Sequence, residues 1–177
     1  MTWTPHMFCQ TSKFRSCSTI LSGFSTSRST VSLTDDLSNI EHQRLELQHR
    51  HLRQIMGNKL FHAPLNKDII HKTLDIGCGT GAVTHEMAST FLSAQVFGVD
   101  LSPVPQVRQT LPNINYVQGN IMDIDDARFE ENSFDLLFSR LLVLGMSNWK
   151  AYVERCVALT KPGVSGQPIA SHTIEQD

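Results

Sequence analysis

The sequence predicts an α/β protein whose strands form a doubly wound parallel sheet, and three observations carry that prediction. Short apolar strands alternate with helical stretches from Thr73 onward. The first strand runs directly into a glycine loop that opens a helix. The second strand ends in an acid, Asp100, 23 residues after Gly77. Alternation of this kind builds right-handed strand–helix–strand units, and hence a Rossmann-like sheet with helices on both faces. The 177 residues, 40% hydrophobic and 18% charged, make one domain with one core.

The N-terminal part precedes this pattern. Residues 1–34 carry Lys13, Arg15 and Arg28 and no acid, so their charge is +3. The formal net charge of the chain is -2, which leaves -5 on the remainder. Ser and Thr crowd the same stretch, as in Ser25-Thr26-Ser27-Arg28-Ser29-Thr30. It has too little apolar surface to offset its ordering entropy, and we expect a disordered tail over 1–34. A mitochondrial transit peptide shares this composition, but the amphipathic basic helix it needs is weak here, and a cytoplasmic protein is expected.

A helical extension is expected over 35–65. Asp35 and Asp36 suit a helix N-terminus. Leu37, Leu45, Leu52, Ile55, Met56 and Leu60 share one face at about 100° per residue. Gly57-Asn58 threatens the helix end and Ala63-Pro64 stops it. Gln48 and His49 lie on the apolar stripe, not opposite it. Either they form a hydrogen-bonded polar pair at a helix–domain boundary, or the helix lids a ligand pocket into which they reach.

The main domain is expected over 66–177. Its strands are Thr73 to Ile76, Gln95 to Asp100, Ile114 to Val117 and Phe134 to Ser139. A helix with Val83, Met87 and Phe91 follows the glycine loop. Pro103 and Pro105 limit the next connection to a short helix or irregular turn. Asn148 to Leu159 reads as a helix capped by Ser147 or Asn148, with Trp149, Val153, Cys156 and Val157 on its apolar side. No apolar run approaches the ~20 residues of a membrane span. The slight acidity gives no electrostatic case for nucleic acid. Four scattered cysteines and eight histidines without H-E-x-x-H spacing give no metal site.

The chemistry concentrates in Leu74 to Gly81. Alternating glycines let backbone approach a ligand closely, and the helix N-terminus offers free N–H groups. An acid at the end of the next strand, here Asp100, is placed to accept from both hydroxyls of a ribose. Together they predict a nucleoside-containing cofactor at the carboxyl edge of the sheet. Gly77-x-Gly79-x-x-Ala82 satisfies the dinucleotide fingerprint. Asp75, two residues before the first glycine, repels a pyrophosphate and attracts an ammonium or sulfonium. That charge favours S-adenosylmethionine over a nicotinamide dinucleotide.

These residues resemble a known family. Leu74-Asp75-Ile76-Gly77-Cys78-Gly79-Thr80-Gly81 is similar to motif I of class I S-adenosylmethionine-dependent methyltransferases, and Phe97-Gly98-Val99-Asp100-Leu101-Ser102 to motif II. Phe134 to Arg140 is similar to their fourth strand, and Leu159-Thr160-Lys161-Pro162-Gly163 to the turn before the fifth. Arg44-Leu45, Gln48-His49, Ala63-Pro64-Leu65 and Ser147-Asn148-Trp149 resemble the fungal branch that serves secondary metabolism and its regulation.

The resemblance implies S-adenosylmethionine as cofactor. Asp75, Gly77, Gly79 and Gly81 would hold its methionine part, and Asp100 its ribose. Leu101, Asn120 and Ile121 would flank the adenine. Ser139 and Arg140 would face the reacting centre, with His49 as the candidate base. The acceptor would be a small molecule or a protein. The family fold has seven strands, ordered 3-2-1-4-5-7-6. After Gly163 only Val164 to Asp177 remain, room for one strand near Ile169 to Ile174, so we expect an incomplete, C-terminally truncated version of that fold. Its fourth strand would expose a parallel edge unless the tail or a protein partner covers it. Two other classes stay open: a cofactor-binding or interaction protein impaired in catalysis, and an NAD(P)-dependent oxidoreductase.

Overall fold

The structure is a computed structural model that describes residues 29–62, 65–142, 145–162 and 170–171. Five strands form one sheet: β1 (Lys72–Ile76), β2 (Gln95–Asp100), β3 (Ile114–Gln118), β4 (Leu136–Ser139) and β5 (Ala170–Ser171). Their order is β3-β2-β1-β4-β5, and every pairing is parallel. The chain moves outward from β1 to β3, then returns to the other side of β1 for β4. Ile76 pairs with Val99 on one side and Ser139 on the other, so these strand ends finish level. A crevice opens where the strand order reverses, outside those ends.

Strands buried on both faces read as near-continuous apolar runs, as β2 and β4 do, whereas β3 at the sheet edge is only partly buried. Val96, Ile114, Leu136 and Phe138 point to the face that α2 (Ala82–Thr90) covers with Val83, Met87 and Ala88. Leu74, Ile76, Phe97, Val99 and Leu137 point to the other face, against Phe129, Phe134 and α3 (Trp149–Leu159). The Lys161 ammonium donates to Asp135 Oδ1 at 2.7 Å, while Oδ2 accepts from the His71 and Lys72 N–H groups. One carboxylate thus ties the exit of α3 to the start of β1.

Several elements differ from the sequence expectations. Helix α1 (Ser29–Ile55) starts six residues before Asp35, so 29–34 are helical and not part of a disordered tail. Residues 1–28 lie outside the described residues. The helix stops where Gly57 and Asn58 both turn left-handed, at φ 62° and 59°. Ile55, expected on its apolar face, is 81% exposed, because the helix docks through Leu45, His49 and Leu52. Asn148 does cap α3, accepting from the Ala151 N–H at 3.1 Å. However, α3 docks through Tyr152, Cys156 and Leu159, which turns Trp149, Val153 and Val157 to the exposed side. The edge of β4 is not bare: Phe138 pairs with Ala170 and Ser139 with Ser171.

Candidate cofactor crevice and its helical roof

Asp75 is the buried acid of β1, 2% exposed. Thr84, one turn into α2, donates its hydroxyl to Oδ2 at 2.6 Å. Burial pushes the carboxyl up to about 6, against the opposing pull of the Thr84 hydrogen bond and the Arg140 charge. Beyond Ile76 the chain bends, and the Gly77 and Cys78 N–H groups both donate to the Val99 carbonyl, at 2.8 and 3.1 Å. Gly77 is left-handed, at φ 71°, and a Cβ there would sit 2.4 Å from Leu142 Cδ2. Gly81, at φ 74°, leads into α2, and a Cβ there would meet the Tyr116 hydroxyl at 2.3 Å. Both positions favour glycine through their left-handed backbone, and at Gly81 the Tyr116 ring adds a steric ground, whereas the end of the Leu142 side chain can move aside at Gly77.

Asp100 braces this loop. The Gly79 N–H donates to its Oδ2 at 2.8 Å, and the Ser102 N–H to its Oδ1 at 2.9 Å. Helix α1 lies over the loop as a roof, and two charged side chains fasten it. Glu46 accepts from the Thr80 hydroxyl and pairs with Arg108 at 2.5 Å, while Arg108 also donates to the Thr80 carbonyl.

Between roof and sheet lies a cavity of ≈ 600 Å³. Asp75, Gly77, Gly79 and Asp100 form its floor, His42, Leu45, Gln48 and His49 its roof, and Arg140 its far wall. A second cavity of ≈ 310 Å³ continues beyond Asp100, bounded by Leu101, Asn120, Ile121 and Met146. The two share Gly77, Asp100 and Leu142. Leu141, left-handed at φ 62°, turns the chain so that Leu142 wedges between them.

A chain of charge crosses the roof. Arg140 Nη2 donates to His49 Nδ1 at 2.9 Å, since a guanidinium has nothing to accept with. His49 Nε2 must then carry the proton and donates it to Glu86 Oε1, at 2.9 Å. The other Glu86 oxygen pairs with Arg53 Nε at 3.1 Å. Burial raises the Glu86 carboxyl, but the His49 hydrogen bond and the neighbouring cations outweigh it and hold the group below its ordinary value. Both His49 nitrogens are thus engaged, so the expectation of His49 as a free base gives way to a bridging role. Gln48 and His49 both line the cavity; His49 is bonded to Glu86 and Arg140, while Gln48 accepts from Arg44 of its own helix at 3.4 Å.

The crevice gathers Asp75, Gly77, Gly79, Asp100, Leu101, Asn120, Ile121, His49 and Arg140, as expected from the sequence. Gly81 and Ser139 line neither cavity. Gly81 serves the Tyr116 contact and the helix start, and Ser139 lies within the ladder between Ile76 and Ser171. Asn120 keeps its amide for its own turn, donating to Asp123 Oδ2 at 2.8 Å and accepting from the Met122 N–H. Leu101 is 70% exposed at the cavity mouth. Sequence reasoning missed Leu142, Glu86 and His42. His42 precedes His49 by two helical turns, and that seven-residue spacing was the signal available for it. Among the described residues no group of three or more His, Cys, Asp or Glu could hold a metal ion.

Fold, glycine loop, strand-end acid and crevice define a nucleoside-binding α/β domain, and comparison gives its family. The profile described as "Methyltransferase domain" matches residues 73–163, half of the chain. The chain belongs to this family, with the fold of class I S-adenosylmethionine-dependent methyltransferases. It is 30% identical to methyltransferase str2 of Strobilurus tenacellus over 124 residues, 70% of this chain and 43% of that protein. It is 26% identical to the secondary metabolism regulator LAE1 of Cochliobolus heterostrophus, over 70% of this chain and 40% of that one. The chain thus spans less than half the length of these relatives. In three dimensions it matches a chain of the complex between the Haloferax volcanii Trm112 methyltransferase activator and its methyltransferase. The TM-score is 0.57 at 20% identity, covering 70% of this chain and 53% of that one.

Proposed function

We propose that this chain binds S-adenosylmethionine in the crevice under α1 and directs methyl transfer to a small-molecule acceptor. The observation that carries the reading is the ≈ 600 Å³ cavity floored by Asp75, Gly77 and Asp100 and roofed by α1. Its size is that of a ligand pocket, about 300–1,000 Å³. The residues fit the cofactor. Left-handed Gly77 and Gly79 present backbone with no Cβ in the way. Asp75 is a buried carboxylate of the sign an ammonium or sulfonium needs, and Arg140 a cation for a carboxylate. Each Asp100 oxygen has one bond in use and about two acceptor sites, which leaves capacity for ribose hydroxyls.

When bound, S-adenosylmethionine supplies an electrophilic methyl group on sulfur. The chain's contribution is to orient and to exclude water. Asp75 and Arg140 fix the charged end, Leu101 and Ile121 flank the base, and the Glu46–Arg108 pair holds the roof shut. His42 takes the place first given to His49 as proton acceptor. Its side chain lines the cavity and is held by no hydrogen bond to another described residue. The kinship with fungal proteins named as methyltransferases and as a regulator of secondary metabolism supports a small organic acceptor.

Calorimetric titration with S-adenosylhomocysteine tests the site. Transfer of labelled methyl from S-adenosylmethionine to a panel of small phenols, acids and amines tests the activity. A folded chain that does not bind S-adenosylhomocysteine refutes the reading. Binding without transfer to any acceptor moves the protein to the cofactor-binding class, which the engagement of both His49 nitrogens favours.

A further inference from the structure

A third cavity, ≈ 580 Å³, lies on the far side of Glu86 and shares no lining residue with the crevice. It sits between the C-terminal end of α1, residues 58–61, 65 and 67, and the outer flank of α2. Its charge is one-sided: Arg53, Lys59 and Lys67 face one acid, Glu86. Both Glu86 oxygens are already engaged, one by His49 and one by Arg53 Nε. Arg53 Nη1 is buried with no hydrogen-bond partner. That atom is enclosed by protein and does not reach the cavity, but the clustered cations repel one another, so the wall is short of an anion. The opposite wall is apolar. Phe61 and Phe91 stand with ring centroids 6.1 Å apart, and Leu65 packs against the same core cluster.

We propose that this cavity is a binding site for a small organic acid, separate from the cofactor crevice. The carboxylate meets Arg53, Lys59 and Lys67, and the apolar body lies on Phe61, Leu65 and Phe91. With Arg53 Nε taken by Glu86, the carboxylate meets the three cations as a charge partner, and the apolar wall gives an organic body the advantage over a bare inorganic anion. Because Arg53 also holds Glu86, and Glu86 holds His49, the occupant touches the first link of the charge chain that ends at Arg140.

The test uses the full chain, labelled with ¹⁵N and titrated with 4-phenylbutyrate. Amide shifts are expected at residues 59–61 and 86–91 and not at Gly77 to Gly79. The neutral amide, 4-phenylbutanamide, should bind roughly tenfold more weakly, the value of one charge-assisted hydrogen bond. The double variant Lys59→Gln/Lys67→Gln, at two exposed positions, should weaken the acid by about the same factor and keep the wild-type spectrum. Arg53→Met should weaken it further. Equal affinity for acid and amide, shifts confined to the crevice, or equal affinity for inorganic phosphate each overturn the proposal, as does the absence of any shift. None of these readouts depends on S-adenosylhomocysteine, so this site and the proposed function fail separately.

Discussion

Removing the Asp100 carboxylate should loosen the loop as well as the ligand. Its two oxygens accept from the Gly79 N–H at 2.8 Å and the Ser102 N–H at 2.9 Å. Ser102 is exposed, so water replaces its bond at little cost. The Gly79 bond is partly buried and charge-assisted, a class worth about 1.5–3 kcal/mol. With allowance for partial solvation, Asp100→Ala should destabilise the fold by about 1–2 kcal/mol, a fall of ~2–8 °C in Tm for a domain of this size. The same change removes the proposed ribose acceptors and should weaken S-adenosylhomocysteine by roughly 10- to 100-fold. Asp100→Asn should lose about half of each effect, because its amide oxygen satisfies one N–H while its NH₂ opposes the other. Urea unfolding and calorimetry, run on the same three proteins, read both quantities. An Asp100→Ala protein with the wild-type urea midpoint refutes the brace, and one with wild-type affinity refutes the ribose contact.

Four further outcomes follow from the geometry and from the burial of Asp75. Gly81→Ala puts a Cβ against the Tyr116 hydroxyl and a side chain at left-handed φ. It should cost about 2–4 kcal/mol in urea unfolding, partly recovered by adding Tyr116→Phe; no recovery would locate the cost in the backbone alone. Asp75 binds its proton more tightly in the fold, at about 6, than in the unfolded chain. Its contribution to stability is therefore full below its unfolded value and is lost as pH rises through about 6, and Asp75→Asn should flatten that decline. Affinity for S-adenosylhomocysteine should run the opposite way, rising with pH up to about 6 and levelling above it, because the ligand's ammonium prefers the carboxylate. Finally, His42→Gln should lower methyl transfer by about 10²- to 10⁴-fold while leaving S-adenosylhomocysteine affinity unchanged; equal rates would return the proton to solvent.

The strands were legible because short β-favouring segments bounded by turn residues alternate with helical stretches, as Gln95 to Asp100 and Ile114 to Val117 do, the second extending one residue further in the structure, to Gln118. The glycine loop was legible because its backbone demands a residue type that few other settings require. Gly81 shows the limit of that logic. It stands in the motif, yet the atom that forbids a side chain there is the Tyr116 hydroxyl, 35 residues away. The α3 face was misjudged because Trp149, Val153 and Val157 form as regular a stripe as Tyr152, Cys156 and Leu159, and only the docked sheet selects between them. Glu86 and Arg108 carried no local signal. A single acid on a helix, or a single arginine after two prolines, acquires a role only when α1 folds over the loop.

The Glu46–Arg108 clasp gives the roof a particular kind of lock. Apolar lids are insensitive to ionic strength, whereas this one is fastened by an ion pair at the rim of the cleft. Residence time of whatever lies beneath α1 then becomes a function of salt, because the opening step breaks a screened attraction and wets two charges. The half-burial of both partners weakens that dependence without removing it. Under the proposed function, a dilute medium would hold the bound cofactor beneath α1 longer than a salty one.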